Sequence, residues 1–539
     1  VKSSRLHDDG GREFDVVVVG AGSAGCALAG RLSEDPSLSV LLLEAGGSDD
    51  LLEVQIPAAL YKVWRTRRDW NYTTEPQPGL GGRELFWPRG KLLGGSSSIN
   101  AMIYIRGAAA DYDEWAKLTG DPAWSYERVL PLFRRMEDNA RGADRFHGVG
   151  GPLRVEDLRS VHPWTRAVIR SAVAAGYPRN DDFNGERQDG VGPYQVTQRR
   201  GRRWSAADAY LAPALDRPNL TVRTGAQATR VLVEAGRATG VEYVKGGRRD
   251  VVRAAREVVL SGGAINSPQL LLLSGIGPAD HLREVGVAVV HDLPGVGQNL
   301  QDHPLVPVIW NVRSGRSLFR AESPSGYAQW FGARRGPLTS NLAEAGLFTR
   351  SDDSLAECDL QYHFLPVKFW RQAEVDPDVD AFTAATVLVD VRSRGSVRLR
   401  SADPTWKPAI DGGYLTDERD LEALVSGVEK AREIASVGPL AAVLAEEWSP
   451  GGTVHGRDAL RRVVRETLES LYHPVGSCRM GPGEDAVVDP QLRVRGLAGL
   501  RVVDASVMPT LIRGNTNAPT IMIAERAADL IAGRTATPS

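Results

Sequence analysis

At 539 residues the chain is too long for one hydrophobic core, so two domains, or one domain with large insertions, are expected. Its 42 % hydrophobic and 24 % charged content is that of a soluble globular protein, and a net charge of −2 gives no reason to expect nucleic acid or an anionic membrane surface as partner. Cys26, Cys358 and Cys478 are too few and too scattered for a disulfide framework or a metal site, which suits a reducing compartment.

Val1 to Glu13 is polar and has no apolar core segment, so no signal peptide is expected. No run reaches the ~18 apolar residues of a membrane span, and the expected location is cytoplasmic. Asp15 and Val16 to Val19 lead into Gly20, Gly22 and Gly25, and then into Cys26-Ala27-Leu28-Ala29. That order predicts strand, tight turn, helix. Gly20 makes the turn, Gly22 admits a pyrophosphate close to the backbone, and Gly25 lets helix and strand pack. The helix start offers free N–H groups and a positive dipole end to the anion. A second apolar run, Val40 to Leu43, ends in Glu44, where a carboxylate can accept from ribose hydroxyls. By this turn alone NAD and FAD stand level, and an NAD-dependent dehydrogenase remains open.

Gly94-Gly95-Ser96-Ser97-Ser98 follows, a concave run of N–H donors suited to a second anionic or electron-rich group. Helices are expected over Asp111 to Leu118 and Tyr126 to Glu137. From Leu220 a small β-meander is expected, over Leu220–Arg223, Ala228–Glu234 and Ala238–Val244, returning to a buried strand at Glu257–Leu260. Pro268 to Ser274 reads as a Leu-rich helix stopped at Gly275. In residues 303–460, alternating segments such as Leu360–Phe364 and Gly395–Arg400 suggest an antiparallel sheet with one face wet. Leu500–Asp504 then reads as a strand ending in an acid, and Ala518–Ile531 as a helix. The nucleotide domain is therefore interrupted by a second domain.

Five motifs occur in one order. Gly90-Lys91-Leu92-Leu93-Gly94-Gly95-Ser96-Ser97-Ser98-Ile99-Asn100 resembles the first signature of the glucose–methanol–choline (GMC) oxidoreductases, and Gly263-Ala264-Ile265-Asn266-Ser267-Pro268-Gln269 with Ser274 to Gly277 resembles the second. Leu293 to His303, His473 to Gly481 and Asn515 to Thr520 are also similar to that family, in its choline dehydrogenase and aryl-alcohol (hydroxymethylfurfural) oxidase-like branch. The resemblance implies an α/β plus α+β fold: a Rossmann-type FAD-binding domain, p-hydroxybenzoate hydroxylase-like, interrupted by a substrate domain whose antiparallel sheet is backed by helices. The expected divisions are 12–155, 216–302 and 461–534 for the FAD-binding parts, with 156–215 and 303–460 for the substrate domain.

The same resemblance implies FAD-dependent oxidation of a primary or secondary alcohol, aryl or apolar, with O2 or another acceptor taking the electrons. A flavin-containing hydroxynitrile lyase is the alternative within the fold. It implies that Gly20, Gly22, Ser23, Ala24, Gly25, Glu44 and Ala45 hold the nucleotide. Arg89, Gly90, Gly94, Gly95 and Ser97 belong to the second loop. Asn100, Ala101, Met102 and Ile103 line the flavin, Ala228 meets the adenine, and Asp504, Ala505 and Thr520 meet the ribityl, pyrophosphate and pyrimidine. Some relatives attach FAD through a histidine at the Ile99 position; isoleucine forms no such bond, so FAD is expected to be non-covalent.

Taking hydride from an alcohol carbon requires a base for the hydroxyl proton, and histidine has the fitting pKa. His473, between an apolar segment and Pro474-Val475-Gly476, is the expected base, with Asn517 as its partner at the flavin N5 edge. His303 and the remaining histidines are assigned no role, with some reserve for His363. Tyr472 is expected to wall the pocket, and Tyr362 and Phe364, with Phe369 and Trp370, to shape it for an apolar or aryl substrate.

Overall fold

The structure, a computed structural model, describes residues 13–371 and 378–534. Residues 1–12, with His7, the first residue of the expected FAD-binding division and most of the segment read for a signal peptide, lie outside the described residues.

β1 (Glu13–Val19) passes through the glycine turn into α1 (Ser23–Leu32) and β2 (Val40–Leu43). Val16 to Val19 and all of β2 are buried, as strands covered on both faces must be. α2 (Ala109–Thr119), α3 (Tyr126–Met136) and β3 (Gly190–Pro193) come next. β4 (Leu220–Arg223), β5 (Ala226–Glu234), β6 (Arg237–Lys245), β7 (Arg248–Leu260) and α4 (Gly263–Leu273) follow. Then come β8 (Pro304–Val312), β9 (Ala345–Thr349), β10 (Leu360–Leu365), β11 (Ala381–Leu388), α5 (Glu418–Ser436), β12 (Leu444–Ser449) and β13 (Glu469–Ser470). β14 (Leu500–Val502) and α6 (Asn517–Ile531) close the described chain.

The first sheet runs β4-β2-β1-β7-β6-β5, with β14 beside β7. β7 forks. Its first half pairs antiparallel with β6, while Val258 to Leu260 lie between β1 and β14, parallel to both. The C-terminal strand thus returns to the sheet that the N-terminus began. β4 departs from the expected meander: it pairs parallel with β2, because the turn at Gly225 (φ +65°) swings the chain away before β5 starts.

The second sheet runs β12-β8-β11-β10-β9-β3, with β13 beside β8, antiparallel throughout. The expectation of a wet face fails here, since every residue of β10 and β11 is buried. Helix α5 covers one side, close enough that a Cβ on Gly427 would stand 2.3 Å from Thr386. A cavity and its walls take the other. Gly395–Arg400, read as part of the same sheet, contributes Ser396–Arg398 to a separate two-stranded ribbon with Ala409–Asp411.

Helix α4 also starts earlier than Pro268. A proline at that position removes its own N–H and pushes off the carbonyl four residues back, that of Ala264. Ser477 Oγ donates to this carbonyl at 2.5 Å, so the lost backbone bond is replaced from the C-terminal segment. The three cysteines are buried and free. Among the described residues no helix is long and apolar enough to cross a membrane.

Candidate active site

One long cavity runs from the glycine turn to the second sheet. At the turn each glycine meets a different constraint. Gly20 has φ +100°, and a Cβ there would strike the Ser261 carbonyl at 2.5 Å. A Cβ on Gly25 would lie 1.8 Å from the Gly20 carbonyl, so α1 sits directly on the strand end. Gly22 has nothing within 4 Å of its absent Cβ and lines the cavity. Its missing side chain leaves room for an occupant, not for protein.

Ser23, Ala24, Glu44 and Ala45 line the same end. Glu44 accepts from the N–H groups of Ala21 (2.9 Å) and Gly46 (2.7 Å), while burial pushes its carboxyl up to about 7. Arg89, Gly90 and Gly95 line the cavity alongside, with the Gly95 backbone lying on that of Gly22. Gly25, Gly94 and Ser97 do not reach it. Ser97 Oγ donates to the Gly94 carbonyl (2.6 Å) and accepts from Ala206 N (3.0 Å), so this hydroxyl ties the loop together and does not face a ligand. Asn100 to Ile103, Ala228, Asp504, Ala505 and Thr520 line the cavity further along. Met102 holds φ +57° while buried, a strained backbone kept in place by the Asn100 Oδ1 bond to its N–H (2.9 Å). The turn, the open space at Gly22 and the N–H-rich loop fit a dinucleotide.

At the far end stands His473, half-buried, with its free edge toward the cavity. Its backbone N–H donates to Asp302 Oδ1 (2.7 Å), and Asp302 also accepts from Ser470 and Tyr414. The Arg89 guanidinium donates to the Tyr472 carbonyl. Tyr472 takes φ +67°, which costs a non-glycine residue and is held by these anchors on either side.

His473 Nδ1 lies 3.0 Å from His303 Nδ1. Burial pushes His303 down to about 3, so it is neutral, and one of the facing nitrogens must carry hydrogen while the other accepts. If His303 accepts, His473 Nε2 keeps its lone pair. Burial holds His473 well below the ordinary imidazole range, and the neighbouring His303, His363 and Arg89 add to that.

Asn515, not Asn517, faces this nitrogen. Its Nδ2 is 3.4 Å from His473 Nε2, and Gln361 Nε2 donates to its Oδ1 (3.2 Å), which turns the amide's N–H side toward the histidine. Asn517 is the first residue of α6, and its Oδ1 accepts from Ser23 Oγ (2.7 Å) at the opposite end of the pocket wall. The helix begins between the two, so their side chains diverge. Asn515 and Asn517 stand in one motif, and the helix start decides which of them reaches the histidine.

Tyr472 lines the cavity, edge-on to Trp64. Tyr362 and Phe364 do not. Period-two alternation sends them to the far face of β10, where the Tyr362 hydroxyl donates to the Gly427 carbonyl of α5 (2.7 Å) and Phe364 stacks on Phe382. Their strand neighbours His363 and Leu365 face the cavity instead, with Phe369, while Trp370 packs on Trp448. Sequence reasoning missed Asn515, His303, Asp302, Gln361 and Asn341. For Asp302 and His303 a signal existed, since they close the motif that starts at Leu293.

Two profiles described as GMC oxidoreductase match residues 14–305 and 391–524. An alcohol dehydrogenase [acceptor] of Pseudomonas putida is 44 % identical, covering 96 % of this chain and 95 % of its own. The mitochondrial choline dehydrogenase of Homo sapiens is 45 % identical over 97 % of this chain and 90 % of its own. A formate oxidase of Aspergillus oryzae, studied for modification of its FAD, superimposes with a TM-score of 0.91 at 27 % identity, covering 97 % of this chain and 99 % of its own.

Proposed function

This chain belongs to the GMC oxidoreductase family and acts on CH–OH donors, and we propose that it oxidises a primary or secondary alcohol to the carbonyl compound with His473 as the base. The observation that carries this reading is the meeting of His473 Nε2 and Asn515 Nδ2 at one wall of a dinucleotide-shaped cavity.

FAD, held without a covalent link, supplies the hydride acceptor when bound; Ile99, on the cavity wall, has no nucleophilic atom to attach it. His473 Nε2 takes the hydroxyl proton. Its depressed basicity leaves it neutral at neutral pH, so the lone pair is available without prior deprotonation. Asn515 Nδ2 donates to the alcohol oxygen and holds it as the carbon flattens to a carbonyl. His303 acts through His473: by accepting from Nδ1–H it fixes the tautomer that leaves Nε2 free. Asp302 anchors the His473 backbone, so the imidazole has little freedom to swing away. O2 or another acceptor would take the two electrons from the bound cofactor.

The test is anaerobic mixing with a panel of alcohols, read as loss of the flavin's visible absorbance. His473→Ala is expected to keep FAD and to slow this loss by about 10²- to 10⁴-fold. A variant that bleaches at close to the normal rate removes His473 from the role. Peroxide formed in step with alcohol consumed, in air, identifies O2 as the acceptor; turnover with a dye and no peroxide identifies another.

A further inference from the structure

At the second sheet the cavity has a chamber walled by Leu305, Leu365, Val367, Phe369 and Ala385. His363 and Asn341 line the same cavity. His363 is 3 % exposed, and neither of its ring nitrogens has a hydrogen-bond partner. Asn341 is fully buried; its amide N–H groups donate to the carbonyls of Ala101 (2.9 Å) and Ala343 (3.0 Å), while Oδ1 has no partner. Leu342, next to it, is held at φ +70°. Buried polar atoms are almost always paired, and a strained neighbour marks a segment kept for a purpose other than stability.

Strand alternation supplies a ruler. Gln361 and His363 point to the same face of β10, two residues or about 7 Å apart. Gln361 bonds Asn515, which addresses the reacting oxygen, and His363, on the cavity wall, stands about 7 Å further along the same strand face. Burial pushes His363 down to about 3, which makes it a neutral ring with one donor and one acceptor nitrogen. Asn341 Oδ1 only accepts. A hydroxyl can donate and accept at once and satisfies this set; an ether or ring nitrogen satisfies only the N–H of His363, and a methyl group satisfies nothing.

Building on the alcohol-oxidation reading, we propose that His363 is a specificity-determining residue that receives a neutral hydroxyl carried by the substrate at the end remote from its carbinol carbon, with Asn341 Oδ1 as a further acceptor in the same chamber. The substrate class is a hydroxylated aryl carbinol.

The test compares an isosteric pair, 4-hydroxybenzyl and 4-methylbenzyl alcohol, by anaerobic flavin reduction in the wild type, His363→Leu and His363→Gln. Taking each variant's ratio relative to wild type cancels the electronic effect of the ring substituent. The wild type is expected to favour the hydroxylated alcohol, His363→Leu to cut that ratio by about tenfold or more, and His363→Gln to recover part of it. Because leucine removes an unpaired buried polar group, the melting temperature of the His363→Leu protein is expected to hold or rise. A ratio unchanged by His363→Leu, a wild-type preference for the methyl compound, or a lowered melting temperature with the ratio intact overturns the proposal. If plain alcohols bleach the flavin but the ratio does not respond, this inference alone fails; if no alcohol bleaches it, the alcohol-oxidation reading fails and takes this one with it.

Discussion

Replacing Asn515 and Asn517 one at a time separates the two ends of the pocket wall. Asn515 Nδ2 sits 3.4 Å from His473 Nε2, with its orientation set by Gln361. Removing a donor aimed at an oxygen that gains charge in the transition state costs about 3 kcal/mol, or about 10²-fold in rate. Asn515→Ala is therefore expected to slow anaerobic flavin reduction by about a hundredfold with FAD still bound. Asn517→Ala loses instead the bond from Ser23 Oγ (2.7 Å), which joins the start of α6 to the start of α1. A bond of that kind is worth about 1 kcal/mol of stability. Its expected signature is a lower melting temperature and weaker FAD retention, with a much smaller loss in reduction rate. Stopped-flow absorbance gives the rate, and the flavin-to-protein absorbance ratio gives occupancy. If Asn517→Ala, fully loaded with FAD, reduces more slowly than Asn515→Ala, the assignment of Asn515 to the reacting oxygen is wrong.

Gly22→Val is expected to fold with an unchanged melting temperature in its apo form but to bind no FAD, because a Cβ there meets no protein atom and the side chain enters the cavity. Gly25→Ala, whose Cβ would overlap the Gly20 carbonyl, is expected not to fold. Acid precipitation should release yellow cofactor from the wild type and none from Gly22→Val; colour left in the wild-type pellet would contradict non-covalent binding. The pH dependence follows from His303 and His363, both pushed down to about 3. Below pH 6.5 the unfolded chain binds protons that the native state refuses, so these two rings leave stability untouched above pH 6.5 and lower it as pH falls toward 3. Denaturant unfolding at pH 7 and pH 5 should show a smaller loss for His363→Leu than for the wild type; equal losses would refute it.

Local chemistry carried far in this chain. A run of valines, a glycine turn and an alanine-rich helix are a short-range pattern, and the structure forms β1, the turn and α1 where that pattern stands. The chain's return to the first sheet was also readable, since Leu500 to Asp504 reads as a buried strand and its first three residues, Leu500–Val502, form one. Tyr362 and Phe364 are aromatic, but which face of β10 meets the cavity depends on where α5 packs, with Gly427 65 residues beyond Tyr362. The same packing dried the face expected to be wet.

Amino-acid order alone determined most of the elements and the glycine turn, and it singled out His473 as a candidate, because each depends on residues a few positions apart. Tertiary structure decided which asparagine reaches that histidine, that His303 stands behind it, and that His363 faces the chamber. Those contacts join residues 42 and 170 positions apart. Direction at such range is set by helix starts, sheet faces and packing, which no local pattern encodes.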